Sequence, residues 1–163
     1  MTMSKVATCL WYDGTAEEAA RLYTSLIPDS EIKRVNRAAS DNPSTREGEV
    51  ITVDFTVGGH DLIGLNGGPE FQFSEAASLS VLCEDQAEVD RLWTSLIIGG
   101  GEPSQCGWLK DKFGVSWQII PKVLPEMLAS SDREAAERAM KAMLEMGKLD
   151  IEQLRQAYEG VPA

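Results

Sequence analysis

Arg21-Leu22-Tyr23-Thr24-Ser25-Leu26-Ile27 recurs seventy positions later as Arg91-Leu92-Trp93-Thr94-Ser95-Leu96-Ile97, with six of the seven residues identical. Each copy lies in an apolar pattern of helical period: Ala19, Ala20, Tyr23, Leu26 and Ile27 in the first, Val89, Leu92, Trp93, Leu96 and Ile97 in the second. Apolar residues at this spacing form a stripe along one side of a helix, and the stripe has to be buried against another element. The helix starts repeat as well. Thr15-Ala-Glu-Glu18 and Asp85-Gln-Ala-Glu88 both read as capping boxes, in which an oxygen-bearing side chain accepts from the amide three residues on.

Outward from the repeat, a short apolar run precedes each helix, Val6 to Tyr12 (VATCLWY) and Ala77 to Cys83 (ASLSVLC), and each run ends at a turn. After the first helix Pro28-Asp29 breaks the chain, Glu31 to Arg37 and Glu49 to Val57 read as strands, and Gly58-Gly59 predicts a tight hairpin into Asp61 to Asn66. Ala39 to Gly48 is polar and turn-rich and predicts a mobile loop. After the second helix Gly99-Gly100-Gly101 ends the helical period, and shorter strands follow near Pro103 to Lys110 and Val115 to Ile120.

This duplication predicts an α+β protein: two βαβββ modules, about 5–68 and about 76–122, forming one curled mixed sheet around a cleft in a single domain over 1–122. Residues 123–163 predict a C-terminal helical extension with helices at Leu124 to Ala129, Arg133 to Met146 and Ile151 to Tyr158. Ala139, Met140, Met143 and Leu144 share one face of it. Such an arm packs either on its own module or on a second subunit, and a homodimer is expected.

The 163 residues are about one domain's length, and 43% apolar with 25% charged residues is the composition of an ordinary globular chain. A net charge of -11 argues against nucleic acid, whose phosphates are neutralised by Lys and Arg. The N-terminus lacks the pattern of a secretion signal and no apolar run approaches membrane-spanning length, so a cytoplasmic location without a membrane partner is expected. Cys9, Cys83 and Cys106 are odd in number and lack C-x-x-C spacing, which predicts three thiols, Cys9 and Cys83 being small core residues.

Several stretches together resemble the vicinal-oxygen-chelate superfamily, which includes the glyoxalases, bleomycin-resistance proteins and extradiol dioxygenases. They are similar in particular to its PhnB-like branch, labelled 3-demethylubiquinone-9 3-methyltransferase-like. The stretches are Cys9-Leu-Trp-Tyr-Asp-Gly14 with the following Ala-Glu-Glu-Ala-Ala-Arg-Leu-Tyr23, Leu65-Asn-Gly-Gly-Pro69, Gly107-Trp-Leu-Lys-Asp-Lys-Phe-Gly-Val-Ser-Trp-Gln-Ile119 and Met143-Leu-Glu-Met-Gly-Lys-Leu-Asp-Ile151. The resemblance implies the glyoxalase/bleomycin resistance fold. In metal-dependent members it also implies four ligands, one on the opening strand and one on a late strand of each module. Those positions fall here on Thr8, Ser78, Gln118 and either Gly64 or Asn66, none of which is His, Glu or Asp. Hydroxyls and amides do not make a tight divalent site, so no metal and no other cofactor is expected.

Other chemistries find little support. A nucleotide-type cofactor needs a glycine-rich turn between a strand and a helix, whereas Gly99 to Gly101 follows a helix and Leu65-Asn-Gly-Gly-Pro69 leads toward a strand. No cysteine has a histidine near it in sequence, and His60, the one histidine, follows the Gly58-Gly59 turn, so no catalytic residue is assigned. Strand alternation turns Thr8, Leu10 and Tyr12, Ser78, Ser80 and Leu82, and Ser116, Gln118 and Ile120 toward the cleft, leaving Trp11 and Trp117 on the helix-packed face. A neutral lining of Thr8, Leu10, Tyr12, Asn66, Ser78, Ser80, Trp108 and Gln118 predicts metal-independent binding of a small organic ligand. The alternatives are a metal-dependent lyase, isomerase or dioxygenase whose site lies at other positions, and a structural or interaction homodimer whose cleft is filled by side chains.

Overall fold

The structure is a computed structural model and describes residues 2–162. The boundary between two compact units falls between Phe73 and Ser74. In the first unit β1 (Thr8–Tyr12) leads into α1 (Ala16–Leu26), followed by β2 (Glu31–Arg37), β3 (Val50–Val57) and β4 (His60–Asn66). The second repeats the order as β5 (Ser78–Cys83), α2 (Gln86–Ile97), β6 (Glu102–Pro103), β7 (Trp108–Lys110) and β8 (Ser116–Pro121). It continues into α3 (Val123–Leu128), α4 (Arg133–Leu144) and α5 (Ile151–Glu159).

The strands form two four-stranded sheets, ordered β1-β4-β3-β2 and β5-β8-β7-β6, in place of the single curled sheet expected from sequence. Each module pairs its first strand in parallel with its last and completes the sheet with antiparallel neighbours, so every ladder closes within its own module. The hairpin at Gly58-Gly59 forms as expected: both residues have positive φ, 55° and 79°, the conformation that a twisted two-residue connection requires.

Only one of the two expected capping boxes is recognisable. Asp85 accepts from Glu88 N at 2.9 Å, and Glu88 reaches back to Glu84 N at 2.8 Å. Thr15 makes no side-chain cap; instead Asn66, at the end of β4, accepts from Ala16 N at 2.9 Å and donates to Val50 O at 2.9 Å. A tertiary partner therefore does what the local motif was expected to do. The loop at 39–48 is tied by Asn42, whose Oδ1 accepts from the amides of Ser44 and Thr45.

The C-terminal helices pack within the second unit. Leu124, Leu149 and Leu154 are buried together, with Ile120 of β8 and Met143 against them. Gln86 at the start of α2 donates to Leu149 O and accepts from Ile151 N, and Cys106 N and Gly107 N donate to Met146 O and Gly147 O. The apolar stripe expected on α4 is rotated: Ala135, Ala136 and Ala139 are buried, while Met140 is 46% and Leu144 55% exposed. The alanines allow α5 close enough for Arg138 to donate to Ala157 O and Tyr158 O. Among the described residues no helix is long and apolar enough to cross a membrane.

Candidate functional site

The geometry of the sheet faces follows from one residue of chain. Gly67 N donates to Tyr12 O at 2.9 Å in the first module, and Lys122 N donates to Cys83 O at 2.9 Å in the second. Both bonds close the parallel pair just beyond its last register position, Tyr12↔Asn66 in one sheet and Cys83↔Pro121 in the other. Tyr12 is thus equivalent to Cys83, an offset of 71, although the helices repeat at seventy. The difference is the connection: Asp13 and Gly14 separate Tyr12 from Thr15, whereas Glu84 alone separates Cys83 from Asp85. Gly14 takes φ 79° and absorbs the additional residue.

A one-residue slip exchanges the two faces of a strand. Thr8, Leu10 and Tyr12 therefore face α1, contrary to the alternation read from sequence. Tyr12 is 1% exposed and its Oη donates to Tyr23 Oη of α1 at 3.2 Å. Gly64, the register partner of Leu10, lies so close to the helix that a Cβ on it would stand 3.1 Å from Ala16 Cβ. Trp11 is corrected too: it is on the opposite face, with Phe71 edge-on at 4.9 Å and its Nε1 donating to Gly68 O. A Cβ on Gly67 would meet the Trp11 ring at 2.3 Å, so only glycine allows this packing.

In the second module the expected facing is observed. Leu109, Trp117 and Ile119 are buried on the α2 side, and Trp117 Nε1 donates to Asp111 Oδ2 at 2.9 Å. Turned away from α2, two rows cross the sheet: Glu102, Lys110, Ser116 and Ser78, then Trp108, Gln118 and Ser80. Gln118 Nε2 donates to Ser78 Oγ at 2.9 Å, which ties the rows together.

On the first sheet the face turned away from α1 is internally satisfied. Asp61 accepts from Lys33 Nζ at 2.7 Å and from Ser4 N at 2.5 Å, and these partners hold its carboxyl well below the usual carboxylate range. Arg34 and Asn36 both donate to Asp54 Oδ2, and Asn36 also donates to Thr52 Oγ1. Lys33 sits at a register irregularity of β2, which lets its ammonium reach across to β4.

The equivalent region of the second sheet holds a cavity of about 310 Å³ lined by Glu75, Glu102, Ser104, Trp108, Lys110 and Ser116, among others. Lys110 pairs with Glu75 at 2.5 Å, and Glu102 is its cross-strand neighbour. Ser116 is 2% exposed, and its Oγ is buried without a hydrogen-bond partner. A hydroxyl removed from water without a partner is costly, and such groups are uncommon in folded proteins. Strand alternation places Ser116 on this face, but no local signal in the sequence marks a hydroxyl as unpartnered.

Four of the eight residues proposed from sequence, Ser78, Ser80, Trp108 and Gln118, share this face of the second sheet, and Trp108 lines the cavity. The other four, Thr8, Leu10, Tyr12 and Asn66, belong to the helix-facing side of the first. Thr8 Oγ1 lies 3.0 Å from His60 Nε2, and Asn66 is committed to Ala16 and Val50. Thr8, Gly64 and Asn66, expected from the resemblance to be ligand positions, lie on the helix-facing side and are corrected: the first-module counterparts of Ser78 and Gln118 are Ala7 and Ile63, which carry no donor, and Gln118 bonds to Ser78. Among the described residues no three His, Cys, Asp or Glu side chains are grouped so as to hold a metal ion. The three cysteines are free. Cys83 is a core residue whose thiol burial pushes up to about 12, whereas Cys9 is exposed rather than part of the core. Gly101 has a structural role: a Cβ on it would stand 2.6 Å from Lys110 O.

Comparison with known proteins agrees with this architecture. Residues 4–120 match the family described as 3-demethylubiquinone-9 3-methyltransferase. Among solved structures, a PhnB protein from Bacillus cereus is 36% identical, with 71% of this chain and 97% of that chain covered and a TM-score of 0.63. A protein from Pseudomonas aeruginosa is 20% identical over 71% of this chain and 95% of that chain, with a TM-score of 0.56, and supports the fold alone. No curated protein matches the chain. The duplicated βαβββ module, the span of the family match and the likeness to the Bacillus cereus protein place the chain in the PhnB-like 3-demethylubiquinone-9 3-methyltransferase family.

Proposed function

We propose that the chain binds a small organic molecule on the face of the second sheet turned away from α2, and that it does so without a metal. The observation that carries this reading is the unpartnered Ser116 hydroxyl beside a cavity of about 310 Å³ walled by an indole and a few polar groups. That volume and that mixture of one large aromatic surface with convergent polar atoms suit a small ligand. Metal independence rests on the donor set: the four equivalent positions are Ala7, Ile63, Ser78 and Gln118, of which the two polar ones bond to each other.

Methyl transfer, the activity in the family's description, is not part of this reading. In the two glycine runs, Gly67 and Gly101 serve close packing, against the Trp11 ring and Lys110 O. The test is a fragment screen by amide and indole NMR on the whole chain, before and after chelator treatment. Binding is expected to shift the signals of Trp108, Lys110 and Ser116 equally in both samples. Hits that shift only other regions, or that vanish with chelation, would overturn it.

A further inference from the structure

The same cavity carries information about the charge of what it takes, and the inference rests on the small-ligand reading above. Its row of side chains holds two carboxylates, Glu75 and Glu102, and one ammonium, Lys110. Lys110 stands between them, paired to Glu75 at 2.5 Å and cross-strand to Glu102. One ammonium cannot neutralise two carboxylates, so a unit of negative charge is left beside Trp108 and the unpartnered Ser116 Oγ. An anionic ligand would have to enter against that charge. A cationic group gains from it, from the hydroxyl lone pairs and from the face of an indole, which attracts cations.

The first module supplies an internal parallel. Asp61 is the equivalent of Ser116, since Asp61 pairs with Thr56 and Ser116 with Lys110 in corresponding ladders. There the chain's own Lys33 ammonium occupies the space over β4, at 2.7 Å from the Asp61 carboxylate. Among the residues lining the second module's cavity, Glu75 and Glu102 are acidic and the one cation, Lys110, is already paired to Glu75.

We propose that the cavity recognises a protonated amine on a small molecule with a flat, aromatic body: the ammonium between Glu102 and Ser116, the body against Trp108. The test uses three probes that differ in one group, benzylamine, benzyl alcohol and benzoate, titrated into the whole chain while the Trp108 indole signal is followed. A Trp108→Phe variant assigns that signal. Benzylamine is expected to bind about tenfold more tightly than either of the others. Glu102→Gln should reduce it to the level of the alcohol, and Ser116→Ala should weaken amine and alcohol alike. Equal binding of all three, or a preference for benzoate, would overturn the amine proposal and leave the small-ligand reading standing. No response at Trp108 to any probe or to the fragment screen would overturn both.

Discussion

Asp61 and Ser116 are equivalent residues, each on the central strand that joins the parallel and antiparallel halves of its sheet, and each nearly inaccessible to water. In the first module the buried group is a carboxylate, and the chain supplies its partners from Lys33 and the amide of Ser4. In the second it is a hydroxyl, and the chain supplies none. The side chain of the neighbouring lysine, Lys110, is drawn instead to Glu75. Duplication thus left two copies of one surface. One has been closed by its own residues and the other retains an unmet hydrogen-bonding capacity next to a cavity, which is where an external partner gains most.

The helix-facing sides should be the least different and the most costly to disturb. Phe55→Ala and Leu109→Ala remove equivalent, fully buried side chains, and each is expected to cost about 3–5 kcal/mol in urea unfolding, the smaller leucine falling toward the low end. A Leu109 variant close to wild type would break the equivalence of the two cores.

Asp61→Ser makes the first module resemble the second and strands the Lys33 ammonium, so a clear loss of denaturant midpoint is expected at neutral pH. The pH dependence has a definite sign. The folded pKa of Asp61 is depressed, so its contribution is fully present above the ordinary carboxylate pKa of about 4 and is lost as pH falls below it. The gap between wild type and variant should be constant near neutrality and shrink in acid. A gap that widens in acid would mean that Asp61 is not the stabilising partner.

The helix starts distinguish the modules next. Asn66→Ala should cost about 1–3 kcal/mol, because it leaves Ala16 N and Val50 O without their partner. Thr15→Ala should change the unfolding midpoint hardly at all, whereas its counterpart Asp85→Ala removes a real cap worth about 1 kcal/mol.

The smallest expected effect has the opposite sign. Ser116→Ala removes an unpartnered hydroxyl and should leave the unliganded protein as stable as wild type or more stable, by up to about 1 kcal/mol. Destabilisation by this change would show that the Ser116 hydroxyl already has a partner within the chain.

Much of this was legible in the residues. The repeat in Arg21 to Ile27 and Arg91 to Ile97 located both helices, the glycine pair at 58 and 59 located the hairpin, and the alternation in Ser78 to Cys83 and Ser116 to Pro121 assigned the second sheet's faces correctly. These signals are local, because apolar period and turn chemistry act over a few neighbouring residues. The family likeness was readable from short stretches of residues as well.

Tertiary structure alone decided three things. It set the facing of β1, because one additional residue at Gly14 reverses a strand without altering its apolar pattern. It separated the strands into two sheets, because pairing depends on partners distant in sequence. And it distinguished Asp61 from Ser116, since a buried polar atom finds its partner only on folding: Lys33 reaches Asp61, whereas Lys110 beside Ser116 is drawn to Glu75.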